Sequence, residues 1–221
     1  MKFIVLLQAR TNSTRLPRKV LMKIKNIPIV VLAYNRASNK GANVMVVTSQ
    51  NDTDDALVEI LTENKVPFYR GDLDNPLKRF FDSLKRESDN TIIVRLTADN
   101  VFPDGALIKD VVEDFCTRQV NYLLCNGPKC GFPHGVSVEV TLVKFIREAY
   151  HKSTSAKDKE HVTPYISRKY GINYYKSKVD IPKTNVSCTI DTLEEYQRIS
   201  ELFDTIDDPN QASIKELLVL L

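Results

Sequence analysis

The stretch KFIVLLQARTNSTRLPRKVL, residues 2–21, decides how the rest of the chain is interpreted. Its unbroken apolar run, from Phe3 to Leu7, predicts a strand buried on both faces, as in a parallel sheet covered by helices. A loop rich in cations follows at once, with Arg10, Arg15, Arg18 and Lys19. None of the 28 acidic residues of the chain precedes Asp52. A basic loop at the end of a buried strand predicts an anion-binding site.

Strand and helix patterns alternate through the first 125 residues. Apolar runs predict strands at 2–8, 43–48, 66–69, 91–96 and 121–124. Amphipathic spacing and capping residues predict helices at 28–40, 52–64, 75–87 and 104–116. This order is typical of an α/β fold with a mostly parallel sheet between helices. Ligands of such sheets bind beyond the carboxyl ends of the strands, where residues 8–19, 70–79 and 97–104 are expected.

The pattern beyond residue 125 is less regular. A loop rich in Gly and Pro, Gly127–Gly135, precedes a predicted strand at 136–140. Further helices are predicted at 142–151, 158–169, 193–203 and 212–220, with short strands at 173–175 and 189–190. We expect one domain, because 221 residues suffice for a single generous core.

Composition narrows the class of protein. A hydrophobic content of 43% and a charged content of 27% are typical of globular proteins. No apolar run approaches the roughly 20 residues that span a bilayer, and the N-terminal run reads as a strand rather than a signal peptide. The four cysteines include no C-x-x-C pair, which disfavours a zinc site and predicts reduced thiols in the cytoplasm.

The basic loop is well suited to phosphate. Arginine matches phosphate oxygens with a planar fork, and Ser13, Thr14 and backbone N–H groups could add donors. The loop lacks the Walker pattern and the dinucleotide fingerprint, because the first glycine of the chain is Gly41. On these residues alone, a solvated basic loop and a nucleic-acid-binding patch remain open.

Two aspartates follow predicted strands later in the chain. Asp99 comes directly after TIIVRLTA, and Asp191 comes directly after the predicted strand at 189–190. Either could instead cap a helix, as we predict for Asp104. If their strands are neighbours, both carboxylates could bind one Mg²⁺, which takes one or two carboxylates together with substrate phosphates.

Four motifs, in chain order, carry a resemblance to a known family. They are QAR-x-x-STRLP-x-K at 8–19, RLTAD at 95–99, HVTPYI at 161–166 and IDT-x-E-E-Y at 190–196. Together they resemble the cytidylyltransferases, which include CMP-sialic acid and CMP-KDO synthetases and the SpsF-like proteins of spore-coat polysaccharide synthesis. The SpsF-like branch is the most similar, and the likeness extends from Val5 to about Leu202.

The resemblance implies a three-layer α/β/α nucleotide-diphospho-sugar transferase fold with a mostly parallel sheet and a small dimerisation or sugar-binding extension. Residues 1–125 would form the nucleotide-binding core, 126–185 the sugar side and a dimerisation region, and 186–221 a return strand with closing helices. The implied reaction couples CTP to a sugar with Mg²⁺, giving a CMP-sugar and pyrophosphate. A 2-keto-3-deoxy acid for a surface or flagellar glycan is the expected sugar. A cytoplasmic homodimer is implied, without nucleic-acid or membrane partners.

The resemblance also assigns roles to individual residues. Asp99 and Asp191 match the metal ligands and, with Arg10 and Lys19, form the expected catalytic set. The expected nucleotide-binding residues are Gln8, Arg10, Ser13, Arg15, Lys19, Arg70 and Arg79. The expected sugar-binding residues are His134, Glu139 and His161.

The chain also departs from the family pattern. The loop commonly reads G-S-T-R-L-P-G-K, and here Asn12 and Arg18 replace both glycines. P-D-G-L-D-V-E-V becomes PHGVSVEV, so His134 and Ser137 stand in place of two acids. The changed loop glycines favour a non-catalytic nucleotide-binding paralogue as an alternative. Two other interpretations also stay open: a related glycosyltransferase using a nucleotide sugar, and a nucleic-acid-binding domain that would explain the basic start of the chain.

Overall fold

The computed structural model describes residues 2–178 and 186–221, which contain a seven-stranded sheet and a two-stranded hairpin. The strands are β1 (Phe3–Gln8), β2 (Lys23–Ile24), β3 (Ile27–Pro28), β4 (Asn43–Ser49), β5 (Phe68–Gly71), β6 (Ile92–Thr97), β7 (Leu123–Asn126), β8 (Ser137–Leu142) and β9 (Asn173–Tyr174). The helices are α1 (Ile29–Ser38), α2 (Asp55–Glu63), α3 (Pro76–Ser83), α4 (Gly105–Arg118), α5 (Val143–Lys152), α6 (Ala156–His161), α7 (Pro164–Tyr170), α8 (Leu193–Asp204) and α9 (Ile214–Val219).

The sheet has the strand order β5-β4-β1-β6-β8-β7-β9. β1 pairs in parallel with β4 and β6, and β5 continues the parallel arrangement beyond β4. The predicted α/β class with a mostly parallel sheet is therefore confirmed. The exception is β8, which pairs antiparallel with both β6 and β7. β8 fills the place that the crossover through α4 leaves between these two strands.

The continuous apolar run of β1 is explained by burial on both faces of the sheet. Phe3, Val5 and Leu7 belong to one hydrophobic cluster, which includes α1, α2, α4 and α8. Ile4 and Leu6 belong to a second cluster on the other face, with α3, α5 and α7. Each fully buried aliphatic side chain of this size contributes about 2 to 3 kcal/mol. This burial fixes β1 inside the sheet, between β4 and β6, and places the basic loop at the sheet's carboxyl edge.

Several local predictions are wrong. The predicted helix at 158–169 is two helices, because Val162 has φ 70° and ψ −53° and Thr163 N donates to His161 O at 2.8 Å. This γ-turn ends α6. Residues 189–190 form no strand, although Ile190 N donates to Asp99 O at 2.9 Å. The β2–β3 hairpin is not among the predicted elements; its turn residues Lys25 and Asn26 both have positive φ, as a type I′ turn requires.

The predicted three-part division of the domain remains a prediction. β8 and β9, from the middle part, join the central sheet. The end of that part, residues 179–185, lies outside the described residues. In the described part of the chain, no helix is both long and apolar enough to cross a lipid bilayer.

Candidate active site

A cleft of about 390 Å³ lies at the carboxyl ends of β1 and β6. It brings together eight of the predicted site residues: Gln8, Arg10, Ser13, Arg15, Lys19, Asp99, His161 and Asp191. The lining also includes the unpredicted Arg95 and Glu160. The position agrees with the rule that ligands of open α/β sheets bind beyond the strand ends.

Asp54 anchors the basic loop from below. Thr11 donates to Asp54 Oδ1 from its backbone N at 2.8 Å and from its hydroxyl at 2.7 Å. Thr48 and Ser49, at the end of β4, donate to the other carboxylate oxygen. Burial raises the pKa of Asp54, but the hydrogen bonds from Ser49, Thr11 and Thr48 outweigh it and leave the pKa below its ordinary value. Asp54 therefore holds the loop as a buried, ionised acceptor.

The ammonium of Lys19 joins the two predicted metal ligands. Lys19 Nζ lies 2.9 Å from Asp99 Oδ2 and 2.8 Å from Asp191 Oδ1. The Lys19 side chain is only 8% exposed, whereas the two carboxylates retain partial contact with solvent. Three distant segments of the chain therefore meet at one point: the basic loop, the end of β6 and the segment before α8.

Arg15 adds a second cation to this cluster. Its guanidinium Nη2 lies 2.9 Å from Asp191 Oδ1, and its side chain is largely exposed. Burial raises the pKa of Asp191, but Lys19 and Arg15 outweigh this effect and bring the pKa below the ordinary value. Asp191 is therefore a carboxylate, not a carboxylic acid, at neutral pH.

The donor set fits a divalent cation of the Mg²⁺ type. Asp99 Oδ2 and Asp191 Oδ1 contact the same nitrogen, so the two oxygens face a common point. Mg²⁺ prefers oxygen ligands and commonly uses one or two carboxylates, with phosphate and water in the other positions. Among residues 2–178 and 186–221, no cluster of three or more His, Cys, Asp or Glu side chains could hold a metal alone. A metal here would take its remaining ligands from substrate phosphates or water.

Arg95 forms the floor of the cleft beside Gln8. Its guanidinium contacts Glu139, and its Nη2 donates to Gln8 Oε1 at 3.0 Å. Glu139 also accepts hydrogen bonds from Tyr122 Oη at 2.7 Å and Thr163 Oγ1 at 2.5 Å. The predicted sugar ligand Glu139 is thus a buried, paired carboxylate beneath the cleft. The sequence signal for Arg95 is the charge it adds to the apolar strand pattern of TIIVRL.

The mouth of the cleft is closed on one side by α6. Arg10 Nη2 lies 3.8 Å from Glu160 Oε1, and both side chains are substantially exposed. His161, the last residue of α6, lines the cleft and is also exposed. An exposed pair of this kind contributes little to stability. The contact can therefore open for a substrate at small cost.

Besides Glu139, three predicted site residues lie outside the cleft lining. Arg70 donates to Ser49 O at 2.9 Å and pairs with Asp55 at 2.7 Å. Arg79 is fully buried and donates to the carbonyls of residues 72 and 73, and burial lowers its pKa to about 10. His134 is exposed, and its carbonyl accepts from Cys188 N at 2.7 Å. Their roles toward nucleotide and sugar remain predictions.

Arg18 occupies a glycine-type backbone position in the loop. Its φ is 59° and its ψ is 19°, in the left-handed region, and its N donates to Thr11 O at 2.9 Å. This conformation accounts for the glycine that the family pattern has here, since glycine adopts it without strain.

We expect Arg18→Gly to raise the free energy of unfolding by about 0.5 to 1 kcal/mol. The left-handed conformation costs an L-residue about 1 to 2 kcal/mol, and the greater freedom of glycine in the unfolded chain offsets part of the gain. Urea denaturation measures the change. Arg18→Val, a β-branched residue at positive φ, should lower stability; a loss with both variants would show that the arginine side chain stabilises the loop.

The fold and the cleft together are those of a nucleotidyltransferase. The chain belongs to the cytidylyltransferase family, whose model matches residues 4–218. The spore coat polysaccharide biosynthesis protein SpsF of Bacillus subtilis is 25% identical over 99% of this chain and 93% of the relative. An uncharacterized protein of Methanocaldococcus jannaschii is 30% identical over 94% of this chain and 86% of that protein.

Solved structures agree. A cytidylyltransferase from Leptospira borgpetersenii is 26% identical and superposes with a TM-score of 0.88, covering 100% of this chain and 93% of the other. CMP:2-keto-3-deoxy-manno-octonic acid synthetase, solved in complex with CTP, shares the fold at 14% identity. Its TM-score is 0.69, over 92% of this chain and 99% of that one. The predicted family is confirmed, and the chain is a cytidylyltransferase.

Proposed function

We propose that this enzyme couples CTP to a 2-keto-3-deoxy sugar acid, such as a nonulosonic acid, and releases pyrophosphate. The observation that carries the proposal is the meeting of Lys19 with Asp99 and Asp191 beside a loop bearing Arg10 and Arg15. Cations for a triphosphate and carboxylates for a divalent metal thus share one cleft. We propose that the product serves the synthesis of a surface or flagellar glycan, on the basis of the name of the SpsF relative.

The reaction requires positioning more than covalent work by the protein. The sugar hydroxyl oxygen attacks the α-phosphorus, the bond to the β-phosphate oxygen breaks, and the hydroxyl proton passes to solvent. Arg10, Arg15 and Lys19 would offset the charge of the departing pyrophosphate, with Ser13 as a further donor. Asp99 and Asp191 would hold Mg²⁺, which supplies Lewis-acid polarisation of the α-phosphate.

The acceptor is proposed to bind at the α6 end of the cleft. Gln8, Arg95 and His161 line that end, with Arg10 at its mouth. These donors suit a sugar that carries hydroxyls and a carboxylate. The octonic acid after which the CTP-bound synthetase is called belongs to this class of sugar. Glu139, beneath the floor, would act on the sugar indirectly by orienting Arg95.

We also propose that the enzyme is a cytoplasmic homodimer. A cytoplasmic location agrees with the absence of disulfides in the described residues, which include all four cysteines. A homodimer is proposed from the family resemblance alone, and sedimentation velocity would test it.

Pyrophosphate release tests the proposed reaction. The protein is incubated with CTP, Mg²⁺ and a panel of 3-deoxy-2-ulosonic acids, with ATP, GTP and UTP as controls. We expect release that requires CTP, Mg²⁺ and one of the acids. A second reaction, with a nucleotide sugar in place of CTP, tests for a glycosyltransferase, which would release a nucleotide and no pyrophosphate. CTP binding without turnover on any acid would support a non-catalytic paralogue.

A further inference from the structure

The ammonium of Lys19 lies at the point that Asp99 Oδ2 and Asp191 Oδ1 both face, where a metal would bind. This ammonium is within 2.9 Å of one oxygen from each aspartate, so it already satisfies both carboxylates. Arg15 supplies the second positive charge on Asp191. The two anions are thus balanced by two cations of the protein itself. A divalent cation entering this arrangement would meet an ammonium at close range in a partly desolvated site, where repulsion between like charges is strong.

The Lys19 side chain can move although its backbone is held. Its N donates to Leu16 O, and its carbonyl accepts from Met22 N at 3.0 Å. The four-carbon stem between this fixed backbone and the ammonium is intrinsically flexible, so the ammonium can change partners without a change in the backbone. The same cleft is lined by Arg10, Ser13 and Thr14, which are donors for phosphate oxygens. A triphosphate held there would offer the ammonium a second set of anionic partners.

We propose that Lys19 is a counter-ion switch that keeps divalent cations off Asp99 and Asp191 until a nucleotide binds. Phosphate oxygens draw the ammonium away from the carboxylates, and the vacated position accepts the cation together with the phosphates. Metal and nucleotide therefore bind as one unit, and the nucleotide-free enzyme has low affinity for the metal. The inference rests on the proposed function for the identity of the phosphate donor, CTP.

Mn²⁺ binding to the whole protein tests the switch without measuring turnover. Mn²⁺ is titrated into wild type, Lys19→Met and Lys23→Met, and bound metal is followed by electron paramagnetic resonance. Lys23 is an exposed lysine on β2 and provides a matched control substitution. Without nucleotide, we expect Lys19→Met to bind Mn²⁺ at least about tenfold more tightly than the other two proteins. Thermal unfolding should show the same pattern, with a Tm rise on Mn²⁺ addition only in Lys19→Met.

Wild-type protein supplies the second measurement, which does not depend on the folding of a variant. Adding CTP should raise Mn²⁺ binding above the sum for CTP alone and protein alone. Equal Mn²⁺ affinity of nucleotide-free wild type and Lys19→Met would overturn the switch. The switch would also be overturned if none of CTP, ATP and pyrophosphate changed the affinity of the wild-type protein for Mn²⁺. A rise with pyrophosphate and ATP but not with CTP would support the switch and contradict CTP as the substrate.

Discussion

Replacing Asp191 by alanine is expected to lower kcat by about 10³-fold or more while the protein stays folded. The substitution removes one of the two carboxylates that face the proposed metal position. A 10³-fold loss of kcat corresponds to about 4 kcal/mol of transition-state stabilisation. Asp191 is partly exposed, so its loss leaves no large buried void. Lys19 keeps its contact with Asp99 in the variant. Asp99→Ala should produce a loss of similar size for the same reason.

Initial rates of pyrophosphate release at saturating CTP and acceptor measure this loss. Glu194→Ala is the matched control, because Glu194 is an exposed carboxylate three residues away in the first turn of α8. It should retain turnover within about twofold, since Glu194 does not line the cleft. Its charge at the start of α8 contributes only a few tenths of a kcal/mol to stability. Far-UV circular dichroism checks the fold of each variant. An Asp191→Ala enzyme with full kcat would contradict the assignment of this carboxylate to the metal.

Replacing Asp54 by alanine is expected to lower the free energy of unfolding by about 3 to 5 kcal/mol. Asp54 is fully buried and accepts hydrogen bonds from Thr11, Thr48 and Ser49. Removing this buried acceptor takes away the carboxylate partner of the Thr11 N, Thr48 and Ser49 donors, at about 1 to 3 kcal/mol for each donor left unpaired before relaxation. The Thr11 hydroxyl keeps its bond to Thr53 O at 2.7 Å. Turnover should fall as well, because the loop that carries Arg10 and Lys19 loses its anchor. Asp52→Ala is the control, since Asp52 is exposed on the same turn.

The same carboxylate predicts a pH dependence of stability. The pKa of folded Asp54 lies below its ordinary value of 3.8, so the unfolded chain binds the proton more readily than the folded one. Its contribution is therefore fully present above that value and is lost as pH falls through the lower, folded pKa. Urea midpoints of wild type should fall more steeply than those of Asp54→Ala across this range. Parallel curves would show that Asp54 is not the ionised anchor.

The sequence carries more information about the parallel core of the sheet than about the place of its antiparallel strand. The run from Phe3 to Leu7 has no polar alternation because both of its faces are buried, and this makes the parallel core predictable. The position of β8 is not predictable in the same way. An apolar strand pattern has no direction, so nothing in residues 137–142 states that they run antiparallel between β6 and β7.

For the site, residue types can be predicted better than their contacts. Lys19, Asp99 and Asp191 are predicted from strand ends and motifs, and they meet in one cleft. Asp54 is not predicted because it sits among Asp52 and Asp55, and the sequence does not show which of these turns inward. Val162 gives no signal at all, since a γ-turn at a valine violates local preference and depends on tertiary packing.

The bonds from Lys19 to Asp99 and Asp191 span 80 and 172 residues of chain. Such separations give the site a high contact order, and loop closure must precede it during folding. A nascent chain or a fragment ending before Asp191 cannot assemble the charge cluster. The concentration of nucleotide-binding sites in a preparation therefore measures the concentration of molecules that have completed folding. Titration of active sites can accordingly serve as a measure of native yield after refolding.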